Sequence, residues 1–224
     1  AICLRALTGF NVRPPEDLFE ITQSMGSLAT LSTSLKLLAL ELIRIANDLR
    51  LLSSGPRTGL GEINLPPVQP GSSIMPGKVN PVVAEVMNMV AFQVVGNDLA
   101  VSLATQAGQL DLNVMTPLIA HNLFTSLDLL RNCVHVFAER CVAGITVNTE
   151  RCREYAERSL GTATALSPYI GYQRAAQVAQ EAQDRGLSVR QVVLEKGLLT
   201  PAQLESAFDL RRLTEPGLPP ERGH

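Results

Sequence analysis

The sequence predicts an all-α protein in which a bundle of long helices is followed by a small helical C-terminal domain. Apolar residues recur every three or four positions over three long segments, at about residues 18–52, 81–107 and 118–141. This is the spacing of one helix face, and long helices joined by short connections form bundles. No alternating strand pattern and no internal repeat is evident. We therefore assign residues 1–145 to part of a central helical bundle and residues 146–224 to the C-terminal domain.

The first long helix is expected to run from Leu18 to Leu52, after a short helical tail at residues 1–9 and a loop that contains Pro14-Pro15. At ~1.5 Å per residue a helix of this length spans roughly 50 Å. One of its faces carries small residues, which let a neighbouring helix approach closely: Gly26, Ser27, Ala29, Thr30, Ser32 and Ser34. We expect that face to be packing surface.

The second long helix follows Asn80, which is expected to be its N-cap, with Pro81 at the first helical position. Its apolar residues cover more than one face, as is typical of a helix that is buried among others. The third helix is expected to begin at Thr116-Pro117 and to close before Gly144. Because three such helices alone would leave apolar faces exposed, we expect the chain to pack against other copies of itself.

The C-terminal domain is predicted from a change in the sequence pattern after residue 147, where the predicted helices become shorter. Asn148 is expected to cap a charged amphipathic helix, and shorter helices follow at about residues 172–184, at 188–195 and after Thr200-Pro201. The tail from Thr214 contains three prolines and is expected to be disordered.

Composition excludes several classes of function. A net charge of −2 and an aromatic content of 4% argue against a nucleic-acid partner. The four cysteines show no C-x-x-C spacing, which is typical of reduced thiols in a cytoplasmic protein, and the scattered histidines predict no metal site. No leader and no uninterrupted apolar run of membrane length is evident, so we expect no membrane partner. Since no initiator Met opens the chain, we expect it to be the later part of a longer protein.

The eleven residues from Gly71 to Pro81 concentrate polar groups and backbone-bending residues between two long helices. Gly71 and Gly77 permit close approaches and backbone angles that a Cβ would forbid. The polar groups belong to Ser72, Ser73, Lys78 and Asn80. One interpretation is a surface loop that leads into a helix, and the other is a site for a small anion. A phosphate-binding P-loop is excluded because the glycine spacing is one residue too long and Val79 stands where a hydroxyl is needed.

This stretch closely resembles the GSSxMPxKxNP signature of the aspartase/fumarase superfamily, lyases that form fumarate by eliminating ammonia, water or a larger amine. The resemblance continues through Asn47–Arg57 and Gly108–Met115 and fades only after about Leu213. It implies a homotetramer in which three subunits build each active site, and a reaction that needs no cofactor and no metal. The family's histidine and its other substrate-binding segments are not found in this chain, so we expect the isolated chain to be inactive.

The resemblance also implies a role for individual residues. Ser72 matches the general base that removes a proton from carbon, and Lys78 and Asn80 match the residues that bind the substrate carboxylate. The resemblance further implies that Ser73, Met75 and Val79 contact the substrate. Glu85 matches a position that pairs with the active-site histidine, whereas the residues alone also allow simple complementation of the helix dipole. A serine hydroxyl is a poor base at neutral pH, so its surroundings must favour the alkoxide.

Three functional hypotheses follow. Local matches to aspartases at Gly108–Met115, Pro81–Val86 and Val192–Thr200 favour the reversible deamination of L-aspartate to fumarate and ammonia. Class II fumarases, which interconvert malate and fumarate, share residues 75–80 but tend to carry an aromatic residue and Glu at positions 110 and 111. The third hypothesis is a non-catalytic helical assembly module, and the intact polar residues of the loop argue against it.

Overall fold

The computed structural model describes residues 1–69, 71, 74–75, 77–209, 211 and 214. Among these residues it contains ten α-helices, two 3-10 helices and two strands of two residues each. The predicted all-α fold with a long-helix bundle is thereby confirmed. The chain divides into two compact units, Ala1–Val147 and Asn148–His224, each of which makes most of its backbone contacts within itself. The domain assignment made from the sequence stays a prediction.

The first unit is built on three long helices that lie side by side. Its helices are α1 (Ile2–Thr8), α2 (Leu18–Gln23), α3 (Gly26–Leu52), α4 (Val82–Gln106) and α5 (Thr116–Arg140). A 3-10 helix at Val142–Gly144 follows α5. Helix α4 packs on both α3 and α5, so it is the central helix of the three. The bounds of α4 and α5 lie within two residues of those predicted.

The single helix predicted over residues 18–52 is wrong, because the chain breaks between α2 and α3. Asp17 caps α2 by accepting hydrogen bonds from the backbone N–H groups of Phe19 and Glu20, at 2.8 and 3.2 Å. Ser24 then adopts an extended conformation, with φ −83° and ψ 118°, which ends α2. Apolar spacing continues on both sides of the break, so periodicity alone gives no sign of it.

Two short strands, absent from the sequence prediction, tie the connection after α3 to the chain after α5. Strand β1 (Ile63–Asn64) pairs with β2 (Thr146–Val147) in an antiparallel ladder. Two residues are too few to show the alternation by which a strand is predicted. The ladder restrains the Pro-rich connection that leads to the 71–81 loop.

The interface between α3 and α4 is made of small residues and a few buried polar pairs. Ala39, Ala46, Ala84 and Ala91 are fully buried there, which lets the two helix backbones approach closely. Near one end Ser32 donates a hydrogen bond to Asp98 at 2.8 Å, and Lys36 forms an ion pair with the same carboxylate. The helices therefore run antiparallel, and the start of α4 lies beside the end of α3.

By length and composition alone α4 could cross a membrane, with a mean hydropathy of 1.3 over its most apolar window. The core helix of a bundle passes the same test. Helix α4 packs on two neighbouring helices and buries the polar side chains of Asn88, Asn97 and Asp98. We therefore assign α4 to the bundle core.

The second unit has its own apolar core. Its helices are α6 (Thr149–Arg158), α7 (Ser167–Ile170), α8 (Tyr172–Arg185), α9 (Val189–Glu195) and α10 (Pro201–Ala207), with a 3-10 helix at Leu160–Leu166. Reciprocal capping boxes begin α9, through Ser188 and Gln191, and α10, through Thr200 and Gln203. The predicted disordered tail lies, apart from Thr214 itself, outside the described residues.

Candidate functional site

The loop singled out by the sequence lies directly before α4. The structure describes Gly71, Ile74 and Met75 and then every residue from Gly77 onwards through α4. The predicted general base, Ser72, and the predicted substrate-binding residue Ser73 lie outside the described residues. The predicted residues that the structure describes are Met75, Lys78, Val79, Asn80 and Glu85.

Both glycines of the loop are needed for its path, as predicted. A Cβ at Gly71 would lie 1.8 Å from the carbonyl oxygen of Lys78, so only glycine fits against that backbone. Lys78 N–H donates to the carbonyl of Met75 at 3.2 Å, which closes a turn in which Gly77 has φ +80°. This left-handed conformation favours glycine. The loop thus folds back until its start touches the backbone of Lys78.

The described residues of the loop are mostly exposed to solvent. Lys78, Met75 and Val79 are exposed, whereas Asn80 is half-buried. Among the described residues the ammonium of Lys78 forms no ion pair and no hydrogen bond. An exposed cation without a protein partner is available to bind an anion, and the adjacent start of a long helix adds a positive dipole end.

The start of α4 differs by one residue from the prediction. Pro81 has a non-helical ψ of 53° and occupies the N-cap position, so the helix begins at Val82. The side chain of Asn80 therefore does not cap the helix, although its carbonyl accepts a hydrogen bond from Val82 N–H at 2.8 Å. Asn80 thus lies two residues after Lys78 and two residues before the first residue of α4.

Glu85 lies in the first turn of α4 and is half-buried. Its backbone N–H donates to the carbonyl of Pro81 at 3.0 Å, which places it one turn below the loop. No ion pair of its carboxylate is present among the described residues. At this position the carboxylate complements the positive end of the helix dipole, and its pairing with a histidine stays a prediction.

A groove of about 460 Å³ runs between α4 and α5 below the loop. Its walls are mostly aliphatic, formed by Val82, Val83, Val86, Val90, Leu129, Cys133 and Val136. Burial raises the pKa of the thiols of Cys133 and Cys141, which keeps them protonated and unreactive near neutral pH. Such a groove suits apolar side chains better than a charged ligand.

Sequence reasoning missed one polar contact close to the site. Asn88, one turn beyond Glu85, donates a hydrogen bond to Asn47 of α3 at 2.8 Å. In the sequence both residues are isolated polar positions on long helices, and only the packing of α3 against α4 brings them together. Among the described residues no group of three His, Cys, Asp or Glu side chains could hold a metal ion.

Comparison with known proteins shows which family the chain belongs to. Residues 2–96 match the family model described as Lyase, and residues 163–215 match the model described as Fumarase C C-terminus. The chain belongs to the aspartase/fumarase superfamily. Within that class, the aspartate ammonia-lyase of Pseudomonas aeruginosa is 51% identical over 219 residues, which is 98% of this chain and 46% of that protein.

Solved structures of the same class share the fold. A fumarate lyase:delta crystallin from Brucella melitensis, crystallised with cobalt, matches with a TM-score of 0.89 and 49% identity, over 96% of this chain and 46% of that one. A class II fumarase from Schistosoma mansoni matches with a TM-score of 0.81 and 37% identity, over 93% of this chain and 47% of that one. The chain thus spans about half the length of the relatives it matches.

Proposed function

We propose that the protein carrying this chain is a carbon–nitrogen lyase that reversibly deaminates L-aspartate to fumarate and ammonia. The observation that carries the proposal is the loop, which presents at the start of a long helix an amide and an ammonium that has no ion pair among the described residues. Similarity supports the choice of substrate: identity to the aspartate ammonia-lyase is 51%, against 37% for the class II fumarase structure.

In the proposed reaction Ser72 removes a proton from the carbon next to the substrate's side-chain carboxylate. The electron pair left on carbon is delocalised into that carboxylate as an enediolate, and the ammonia group then leaves from the opposite face to give fumarate. Lys78 and Asn80 hold the carboxylate whose negative charge increases in this step. Groups that stabilise charge only as it develops are the ones that accelerate such a reaction.

Ser73, Met75 and Val79 are proposed to complete the substrate contact of the loop. Glu85 is proposed to pair with a histidine of the complete enzyme. In this chain His121 and His135 lie on the surface of α5, well along the chain from the loop, and neither is proposed for this role. We propose that this histidine and the ammonium-binding groups belong to regions of the relatives that this chain does not cover. We propose no cofactor and no metal for the reaction.

We further propose that the complete protein is a cytoplasmic homotetramer whose active sites are shared between subunits. Large apolar side chains on the long helices support an assembly: Met89, Phe92 and Leu99 of α4 and Phe124 of α5 are each about 60% exposed or more. A carbon acid also needs a site that is shielded from water, and an exposed loop alone does not provide one. The isolated chain is accordingly expected to be inactive.

The test is a direct assay of fumarate formation by the purified full-length protein, followed by ultraviolet absorbance, with L-aspartate and with malate in parallel. We expect turnover of L-aspartate and none of malate. Turnover of malate alone would instead favour a class II fumarate hydratase, a candidate kept because residues 163–215 match the fumarase C-terminal model. Activity on neither substrate would favour a helical assembly module.

A further inference from the structure

The buried amide of Asn88 on α4 meets the amide of Asn47, an exposed residue of α3, one helical turn from Glu85. Asn88 Nδ2 donates a hydrogen bond to Asn47 Oδ1 at 2.8 Å, and Arg50 Nη1 donates to the same oxygen at 3.4 Å. Asn88 is only 4% exposed, and its own Oδ1 has no hydrogen-bond partner among the described residues. The pair is therefore a half-satisfied polar contact in an otherwise apolar place.

Stability alone does not account for this contact. The neighbouring side chains of Ala46, Ala84 and Met87 are fully buried and apolar. Leaving the buried Asn88 acceptor without a donor is unfavourable, and an apolar residue of similar size at position 88 would pack there without that cost. What the hydrogen bond between Asn88 and the exposed Asn47 can supply is register, because it forms only at one rotation and one height of the two helices.

The contact lies where register matters for the site. Asn88 follows Glu85 by three residues, which on a helix is about 60° of rotation and about 4.5 Å along the axis. Since these residues share one rigid helix, a rotation or slide of α4 that breaks the amide pair also moves the Glu85 carboxylate. Asn47 in turn lies near the end of α3, so the pair fixes the start of α4 against its neighbour.

We propose that Asn88 is a positioning residue: through its hydrogen bond to Asn47 it fixes the height and rotation of the first turn of α4 and so aims the carboxylate of Glu85. This inference rests on the function proposed above for Glu85. Arg50 supports the pair from the other side by holding Asn47 in the orientation that presents its oxygen to Asn88.

A double-mutant cycle in the full-length protein tests this with L-aspartate as substrate. Asn88→Leu removes the amide, Glu85→Gln removes the carboxylate charge, and the third variant carries both. If Asn88 acts through Glu85, Asn88→Leu lowers kcat/KM about tenfold when Glu85 is present and less than about twofold when it is Gln. An equal loss in both backgrounds would overturn the proposal.

The matched control is Asn97→Leu. Asn97 lies on the same helix, is 5% exposed and donates from Nδ2 to Ser126 at 3.0 Å, but it is two and a half turns further from Glu85. Its loss is expected to change kcat/KM by the same factor whether residue 85 is Glu or Gln. Asn47→Asp keeps an acceptor for both Asn88 and Arg50, so it is expected to retain at least about half of the activity.

A second readout separates this proposal from the proposed function. Amide hydrogen exchange in residues 83–87 is expected to speed up in Asn88→Leu by at least about fivefold more than in Asn97→Leu, because the first turn of α4 loses its restraint. Equal exchange in the two variants would overturn the positioning role. A wild-type protein that does not turn over L-aspartate would overturn the proposed function, and the exchange result would still decide the role of Asn88 in holding α4.

Discussion

Gly71→Ala is the sharpest single perturbation of the loop. A Cβ at this position would lie 1.8 Å from the carbonyl oxygen of Lys78, a distance that cannot be accommodated because the Cβ has no rotational freedom and its partner is a backbone atom. The two segments must separate by more than about 1 Å to reach ordinary contact. Lys78 is the residue displaced, and it carries the ammonium that we propose to bind the substrate carboxylate.

The expected loss follows from the size of that displacement. A misplacement of about 1 Å in a catalytic group costs roughly 100-fold in rate, which corresponds to about 2.7 kcal/mol of transition-state stabilisation. Stability should change much less, because the described residues at the tip of the loop are exposed and bury little apolar surface. Steady-state kinetics with L-aspartate and thermal unfolding of the same full-length preparations measure the two effects.

Two other glycines serve as matched controls. Gly77 (φ +80°) and Gly197 (φ +59°) both have open space where a Cβ would stand, so alanine there adds only backbone strain of about 1–2 kcal/mol. Gly77→Ala is expected to reduce kcat/KM by about tenfold or less, and Gly197→Ala, in the second unit, to lower stability but not activity. If Gly71→Ala kept wild-type kinetics, the close approach to Lys78 would have no part in the site.

Four further predictions concern charge and burial. Lys36→Met leaves the buried Asp98 carboxylate without its cation and is expected to lower the free energy of unfolding, measured in urea, by about 3–5 kcal/mol. Burial raises the pKa of Asp98, but hydrogen bonds from Lys36 and from two hydroxyl groups lower it by more in sum. The ionised pair should therefore stabilise the fold at neutral pH and lose this effect only as the pH falls below about 4. If the difference in stability between wild type and Asp98→Asn stayed the same from pH 7 to pH 3, this would be contradicted. Lys78→Ala is expected to lower kcat/KM for L-aspartate by about 100-fold to 1,000-fold, and Lys78→Arg by less, and equal effects of the two would argue against a charge-based role. The buried thiol of Cys133 should react with a thiol-specific reagent only after unfolding, whereas the exposed Cys3 should react at once, as counted by absorbance before and after adding denaturant.

Helix positions were predictable here wherever local chemistry fixes them. Pro81, Gly186 and the Thr200-Pro201 pair mark helix ends by their own conformational limits, so α4, α8 and α10 begin or end within one residue of the prediction. The break at Ser24 was not predictable in the same way. Nothing in a serine requires an extended backbone, and the apolar spacing that predicts a helix resumes immediately after it.

The parts of the site that could not be predicted all depend on contacts between segments. The glycine at position 71 was predictable as a bend, but its contact with the carbonyl of Lys78 arises from how the loop closes. Likewise Asn47 and Asn88 are forty-one positions apart, and their contact depends on the register of two antiparallel helices. A sequence pattern predicts one helix or loop at a time, whereas each of these contacts depends on how two segments pack against each other.

The loop and helix α4 also differ in how deeply their side chains are buried, and this difference affects how the site would close over a substrate. The start of α4 is anchored by the buried Ala84, Met87 and Asn88, while Ile74 at the tip of the loop is 85% exposed. Covering an isoleucine contributes about 1.5–3 kcal/mol, and an anion at a helix start about 0.3–1 kcal/mol. Neither contribution alone exceeds the entropy lost when the exposed side chains of Ile74, Met75 and Lys78 are each fixed in one conformation, at about 0.5–2 kcal/mol each. We therefore expect closure to require substrate and a covering surface together, so that an empty site stays open to water and a filled one excludes it.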